Sequence, residues 1–177
     1  MSNIQQATIG GGCFWCLEAF YNEVKGILKA TSGYSGGSVP GHPTYREICS
    51  GLTGHAEVIR IEFDSTIISY KEILLLFFTA HNPTTLNQQG ADKGTQYRSV
   101  IFYENDLEKE IALETINEVQ KYINEPIVTE VSPLINYYDA EDYHQGYYKN
   151  NPEEGYCSIV VGPKLNKLRK LHASILK

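Results

Sequence analysis

Hydrophobic and polar positions along the first 132 residues predict alternating strands and helices. The segment QATIGG is typical of a short strand, and Phe14, Leu17, Phe20 and Val24 then recur at helical spacing up to Gly26. Further strands are predicted for ILKATSGYSGG, AEVIRIEFD, YRSVIFY and PIVTEVS. Further helices are predicted for SYKEILLLFFTAH and DLEKEIALETINEVQKYI.

This order of elements predicts an α+β fold. Strand, helix, strand, strand, helix, strand, then helix and strand, fits a two-layer sandwich with a split βαβ (ferredoxin-like) core and a mainly antiparallel sheet. We expect one domain over residues 1–177, with a core of about residues 1–132 and a long C-terminal segment of about residues 133–177 wrapped on it. Within that segment, GYCSIVVGPKLNKLRKLHASILK suggests a strand and a basic helix. Ser69, with Glu72 three positions later, is the expected N-cap of its helix.

Two long polar segments interrupt the periodic pattern. SVPGHPTYREICSGLTGH and NPTTLNQQGADKGTQ are predicted to be loops. Long ordered loops are uncommon in a compact domain and are often functional. We therefore expect these two loops to contribute to a site.

Charge and targeting signals narrow the classes of function. The formal net charge of −6 disfavours binding to nucleic acid or to an anionic membrane surface. No signal peptide and no apolar run of membrane-spanning length is recognisable, so we expect a cytoplasmic protein. In that compartment Cys13, Cys16, Cys49 and Cys157 are expected to be thiols rather than a structural disulfide framework.

The stretch GGGCFWC carries the strongest chemical signal. It places Cys13 between a strand and the first turn of a helix, where unpaired N–H groups and the helix dipole favour a reactive thiolate. Phe14 and Trp15 diverge by about 100° on a helix, so at least one should lie near the sulfur or on the surface. The alternative is that Cys13 and Cys16 are small buried hydrophobes.

Several motifs together resemble the A-type peptide methionine sulfoxide reductases. They are GGCFW, GYSGG, HPTYREICSGLTGHAEVIRIEFD, HNPTTLNQQGADKGTQYRS, AEDYHQGYYKNNP and GYC, in family order from Gly10 to Cys157. The resemblance implies reduction of the S epimer of methionine sulfoxide, free or in oxidised proteins, through a cysteine sulfenic acid and then a disulfide. It also implies thioredoxin or another external dithiol as reductant, and no bound metal or organic cofactor. We further expect a monomer.

The resemblance also implies a role for each matching residue. Cys13 is the nucleophile, Glu57 protonates the sulfoxide oxygen, and Tyr45 and Tyr97 hydrogen-bond that oxygen. Partial burial next to the core would raise the pKa of Glu57 and keep it protonated. Besides Glu57 and these two tyrosines, the resemblance implies that substrate binding involves Phe14, Trp15, Asp92 and Tyr156. Phe14 and Trp15 would surround the S-methyl group. Asp92 would order the pocket through hydrogen bonds to backbone or water.

The thiol that resolves the sulfenic acid has two candidates within the chain. Cys157 matches the first recycling cysteine of the family, although SIVVGPKLNKLRK follows it here instead of a glycine-rich tail with another cysteine. Cys16 forms a C-x-x-C pair with Cys13. Reduction directly by an external thiol is the third possibility.

Other polar residues are predicted to be structural. The spacing of His55, His81, His144 and Cys49 matches no zinc pattern. We expect Glu141 and His144 to anchor the C-terminal segment.

Two other classes of function compete with the reductase. One is a thiol hydrolase or acyltransferase, which needs a histidine oriented toward Cys13. The other is a non-enzymatic thiol module that binds oxidised partners or metal.

Overall fold

A six-stranded, mainly antiparallel sheet forms the centre of the protein. The computed structural model describes residues 3–177. The sheet has the order β7-β6-β1-β3-β2-β8, and only the β6–β7 pair is parallel. Its strands are β1 (Ile4–Gly10), β2 (Ile27–Ser35), β3 (Ala56–Asp64), β6 (Val100–Tyr103), β7 (Glu130–Pro133) and β8 (Tyr138–Asp139), while β4 (Gln88–Gln89) and β5 (Asp92–Lys93) form a separate small hairpin.

Residues 3–177 form six α-helices in addition to the strands. They are α1 (Phe14–Tyr21), α2 (Tyr45–Cys49), α3 (Tyr70–Ala80), α4 (Asp106–Gln120), α5 (Tyr147–Asn150) and α6 (Gly162–Leu171). Ser69 caps α3 as predicted, because its side chain accepts a hydrogen bond from the Glu72 N–H at 3.1 Å. None of the helices formed by residues 3–177 has the length and apolar content that a bilayer crossing requires.

The predicted fold class is confirmed. The four core strands β1, β2, β3 and β6 lie side by side in the order fourth, first, third, second, which is the split βαβ arrangement. Alternate side chains of β3 point to opposite faces of the sheet. Ile59 belongs to the main core with Phe20 and Phe77, whereas Val58 packs in a second cluster with Phe102.

The C-terminal segment covers parts of both the sheet and α1. β8 extends the sheet along β2, and Leu176 forms a β-bridge with Val24. Arg169 of α6 forms an ion pair with Glu23 at 2.7 Å. These contacts pack the C-terminal segment against β2 and against the residues that follow α1.

The strand predicted around GYCSIVV is wrong. Residues Cys157–Val161 form a wide helical turn that leads directly into α6. Cys157, Val161, Leu165 and Leu168 are all buried, and their spacing of four, four and three residues fits one face of a helix. Pro163 does not interrupt this course because it lies in the first turn of α6, where proline is tolerated.

Candidate functional site

A glycine loop holds Cys13 between β1 and α1. A Cβ on Gly10 would come within 2.5 Å of the Glu57 carbonyl oxygen, so only glycine allows β1 to approach β3 this closely. Gly12 adopts φ +80°, and its N–H donates to the Tyr97 carbonyl at 3.1 Å. The loop thereby fixes Cys13 relative to both Glu57 and Tyr97.

An open cavity of about 210 Å³ lies over the Cys13 side chain. Its lining residues are Cys13, Trp15, Tyr45, Asp92, Tyr97, Glu154 and Tyr156. Six of these seven are among the site residues predicted from the sequence, and Glu154 is the addition. The two long loops supply Tyr45 and Asp92, and Tyr97 follows directly after the second loop.

Glu57 lies buried beside this cavity, although it is not among its lining residues. Its side chain is on β3 and only 1% exposed. The Phe14 N–H donates to Oε1 at 3.2 Å, while the buried Oε2 has no hydrogen-bond partner within residues 3–177. Burial, and to a smaller extent the charge of Asp92, raises the pKa of Glu57 to about 8. Near neutral pH the side chain is therefore a carboxylic acid, in agreement with the prediction.

The predicted ionisation of Cys13 is not supported. Its sulfur accepts a hydrogen bond from the Trp15 N–H, which lowers the thiol pKa, as expected at a helix N-terminus. Burial beneath the loops and the nearby Glu57 carboxyl act in the opposite direction and hold the pKa of Cys13 well above its ordinary value. Cys13 is therefore a thiol in the resting site.

Tyr45 and Tyr97 approach the cavity from opposite loops. Tyr45 opens α2, a helix that the sequence pattern did not predict, and its N–H donates to Glu141 at 3.0 Å. Burial is the main cause that raises the pKa of both phenols, and Glu57 raises each further. Both hydroxyls therefore remain protonated hydrogen-bond donors. The signal for α2 was present: Thr44 and Glu47 form a complete capping box.

Trp15 forms one wall of the cavity and is held from two sides. Its indole Nε1–H donates to His144 Nδ1 at 3.0 Å, and its ring stacks on Tyr147 at a centroid distance of 3.8 Å. Phe14 does not line the cavity with it. The Phe14 ring is fully buried against Tyr34 and His144, so the prediction that it surrounds an S-methyl group directly needs correction. Successive helical positions diverge, and here only Trp15 faces the cavity.

Asp92 and Tyr156 contact each other across the cavity. The Tyr156 hydroxyl donates a hydrogen bond to the Asp92 carboxylate. The structure therefore gives Asp92 a side-chain partner, which the sequence analysis did not predict. This contact connects the second long loop to the C-terminal segment and closes one side of the cavity.

The remaining cysteines differ in burial. Cys16 and Cys157 are buried and Cys49 is exposed, and all four cysteines of the chain are free thiols. Cys16 lies one turn beyond Cys13 on α1, and burial raises its pKa. Glu154, which lines the cavity, accepts a hydrogen bond from the Cys157 N–H at 3.5 Å through its carboxylate. Burial raises the pKa of the Cys49 thiol.

The histidines take part in structural hydrogen bonds. His81 bridges the Phe77 carbonyl and the Ser99 hydroxyl, each at 2.7 Å, and burial lowers its pKa to about 3. His55 accepts from the Gly37 N–H at 3.0 Å. Within residues 3–177, no three His, Cys, Asp or Glu side chains are grouped in a way that could hold a metal ion.

Glu141 connects the C-terminal segment to the site. Its carboxylate accepts hydrogen bonds from the hydroxyls of Tyr34 and Tyr143 and from the Tyr45 N–H. Sequence reasoning missed this link to Tyr45, as well as the stacking of Tyr147 on Trp15. Glu141 and Tyr147 both belong to the AEDYHQGYY stretch, for which the sequence analysis predicts no contact with Tyr45 or Trp15.

Comparisons with known proteins find relatives of both the sequence and the fold of this chain. The model of the family described as "Peptide methionine sulfoxide reductase" matches residues 5–175. The chain is 52% identical over 174 residues to the peptide methionine sulfoxide reductase MsrA of Saccharolobus solfataricus, covering 98% of each chain. Its fold is similar to that of reduced Mxr1 from Saccharomyces cerevisiae, with a TM-score of 0.82, 36% identity and coverage of 87% of this chain and 89% of that one. Mxr1 in complex with Trx2 is also similar, with a TM-score of 0.58, 26% identity and coverage of 81% and 84%.

Proposed function

The chain belongs to the peptide methionine sulfoxide reductase family, and from this premise we propose that it reduces the S epimer of methionine sulfoxide, free or in oxidised proteins, to methionine. The observation that carries the proposal is the meeting of Cys13, Tyr45 and Tyr97 at one cavity beside the buried acid Glu57. A nucleophilic sulfur, two hydroxyl donors and a protonated carboxyl group are what reduction of a sulfoxide requires.

In the reductase step, the sulfur of Cys13 attacks the sulfoxide sulfur while Glu57 protonates the sulfoxide oxygen. The oxygen ends on Cys13 as a sulfenic acid, and methionine leaves. The sulfoxide sulfur gains two electrons and the Cys13 sulfur loses two. Glu57 gives its proton to the oxygen and takes up the proton of the Cys13 thiol. Glu57 is therefore a carboxylic acid again at the end of the step.

The other cavity residues position the substrate. The Tyr45 and Tyr97 hydroxyls donate hydrogen bonds to the sulfoxide oxygen, whose negative charge grows as Cys13 attacks. Trp15 supplies apolar surface for the S-methyl group, and Phe14 supports that wall from the core. Asp92 and Tyr156 hold the opposite side of the cavity through their mutual hydrogen bond.

Regeneration of Cys13 requires two external electrons. We propose that Cys157 condenses with the sulfenic acid and that a thioredoxin-type dithiol of the cytoplasm reduces the resulting disulfide, with no bound cofactor. The complex of the similar Mxr1 with Trx2 supports this choice of partner. We propose that residues 1–177 act in this scheme as one catalytic unit and as a monomer.

Neither competing function has a supporting observation at Cys13. A thiol hydrolase needs a histidine base at the sulfur. His144, the histidine nearest to the Trp15 wall, uses Nδ1 to accept the hydrogen bond from Trp15. His81 is hydrogen-bonded through both ring nitrogens to Phe77 and Ser99.

A single-turnover experiment tests the proposal. Reduced protein is mixed with each epimer of methionine sulfoxide without added reductant, and methionine is quantified by chromatography. We expect up to one methionine per protein from the S epimer, little from the R epimer, and none with Cys13→Ser. The Cys49→Ser variant is the matched control and should keep the full yield. Equal yields from both epimers, or methionine formation by Cys13→Ser, would contradict the proposed function.

A further inference from the structure

Glu154 connects the surroundings of two thiols that must react with each other in the proposed cycle. Its side chain lines the cavity that contains Cys13. The Oε2 atom of the same carboxylate accepts a hydrogen bond from the Cys157 N–H at 3.5 Å, so the carboxylate lies beside Cys157. Burial raises the pKa of Tyr147, and charges on Glu154, Cys157 and Cys13 each raise it further.

Cys157 needs help to become a nucleophile. Its side chain is fully buried, and burial, followed by the charge of Glu154, raises its thiol pKa. Only the thiolate attacks a sulfenic acid at a useful rate. Glu154 and Tyr147 interact with Cys157 electrostatically, and a protonated phenol cannot accept a proton readily.

We infer that Glu154 is a catalytic residue of the resolving step, in which its carboxylate accepts the proton of the Cys157 thiol as Cys157 attacks the Cys13 sulfenic acid. This inference rests on the proposed function. It assigns Cys157, rather than Cys16, as the resolving thiol, because no carboxylate within residues 3–177 is hydrogen-bonded to Cys16.

The step balances without a further reactant. The S–H bond of Cys157 breaks, its proton moves to Glu154, and its sulfur forms a bond to the Cys13 sulfur. The S–O bond of the sulfenic acid breaks, and the hydroxide leaves with a proton from Glu154 as water. The Cys157 sulfur is oxidised, the Cys13 sulfur is reduced, and the Glu154 carboxylate is restored.

A purely structural role for Glu154 is the competing explanation. The helix that contains Cys157 begins just after Glu154, so the bond to the Cys157 N–H also serves as a helix cap. A cap requires only an acceptor oxygen, whereas proton transfer requires a carboxylate. Glu154→Gln keeps an acceptor oxygen for the cap but removes the carboxylate needed for proton transfer. Glu154→Asp keeps the acceptor oxygen and the carboxylate.

The test separates the reductase step from the resolving step. Reduced protein is mixed with S-methionine sulfoxide without reductant and quenched over time. Methionine release reports the first step. The Cys13–Cys157 disulfide, identified by peptide mass mapping, and sulfenic acid trapped by dimedone report the second.

For Glu154→Gln at pH 7, we expect disulfide formation slowed by about a hundredfold, a much smaller effect on methionine release, and accumulation of trapped sulfenic acid. The variant's disulfide rate should rise about tenfold per pH unit, because hydroxide then replaces the missing base. Glu154→Asp should retain most of the rate. Glu153→Gln, the exposed neighbour, is the control and should match the wild type.

Three outcomes would overturn the inference. They are disulfide formation by Glu154→Gln within about threefold of the wild-type rate, a slowed rate that does not recover at high pH, and a Cys13–Cys16 disulfide in the wild type. Absence of methionine release in the wild type would instead refute the proposed function itself, so the two failures are distinguishable.

Discussion

Replacement of Glu57 by glutamine should impair the reductase step and stabilise the fold at alkaline pH. The folded protein raises the pKa of this carboxyl from 4.5 to about 8. In the unfolded chain the same group ionises near its ordinary value. Between these two pH values the folded state holds a proton that the unfolded state has lost, so the free energy of unfolding falls as pH rises.

The size of this effect follows from the pKa difference. This loss of folding free energy is absent below the unfolded pKa and complete above pH 8, where it totals about 5 kcal/mol. Between pH 5 and pH 8 it amounts to about 3.5 kcal/mol. Glutamine carries no such proton, so the variant lacks this loss. Its side-chain oxygen can keep the bond from the Phe14 N–H, and any constant cost of its amide cancels when two pH values are compared.

Urea denaturation of both proteins at pH 5 and pH 8, under reducing conditions, measures the effect. The stability of Glu57→Gln minus that of the wild type should increase by about 3.5 kcal/mol between the two pH values. Glu62→Gln, which removes a carboxylate from the half-exposed end of the same strand, is the control. In parallel, single turnover of Glu57→Gln should be slowed by about a hundredfold with sulfoxide binding retained. A stability difference independent of pH would refute the assignment of Glu57 as a buried neutral acid.

Three further predictions concern the reactive pair, the oxygen-binding hydroxyls and the core. The wild-type single-turnover rate should be nearly constant from pH 5 to pH 7 and fall about tenfold per pH unit above about pH 8, because the reactive form has both Cys13 and Glu57 protonated; a rate that rises tenfold per pH unit up to pH 8 would contradict this. Tyr97→Phe and Tyr45→Phe should each lower the reductase rate constant by roughly tenfold to a hundredfold, with smaller changes in KM, and an effect on KM alone would argue against their role in the step. Leu74→Ala, at a fully buried site, should lower the free energy of unfolding by about 2–5 kcal/mol in urea denaturation while the folded variant keeps its single-turnover rate.

Local sequence signals predicted most of the sheet and the long helices. The strand proposed for AEVIRIEFD has the bounds of β3, and α3 begins after Ser69 as its capping signal indicated. Such signals depend on residues only a few positions apart, so they can be interpreted without knowledge of the rest of the chain. The motif that placed Cys13 at a helix start was local in the same sense.

The errors lie where distant segments meet. Ile159 and Val160 favour a strand by composition, but the buried face formed by Cys157 and Val161 makes their segment helical. A single sequence also could not tell that Trp15, and not Phe14, faces the cavity, because that depends on how α1 is rotated against the sheet and α5. Glu154 was overlooked because its contacts to the cavity and to Cys157 arise only from the folded C-terminal segment.

The mistaken prediction of an ionised Cys13 shows how burial and charge compete in this site. A helix N-terminus stabilises a thiolate, but burial and the neighbouring Glu57 outweigh it. The same burial keeps Glu57 protonated, so both reacting groups are neutral before substrate binds. Two neutral reacting groups suit a substrate with an apolar methyl group and an uncharged, strongly polar S–O bond, since neither group must be desolvated as an ion when the substrate enters. Charge then develops only during attack, on a sulfoxide oxygen that Glu57 can protonate and that the hydroxyls of the two loops can reach.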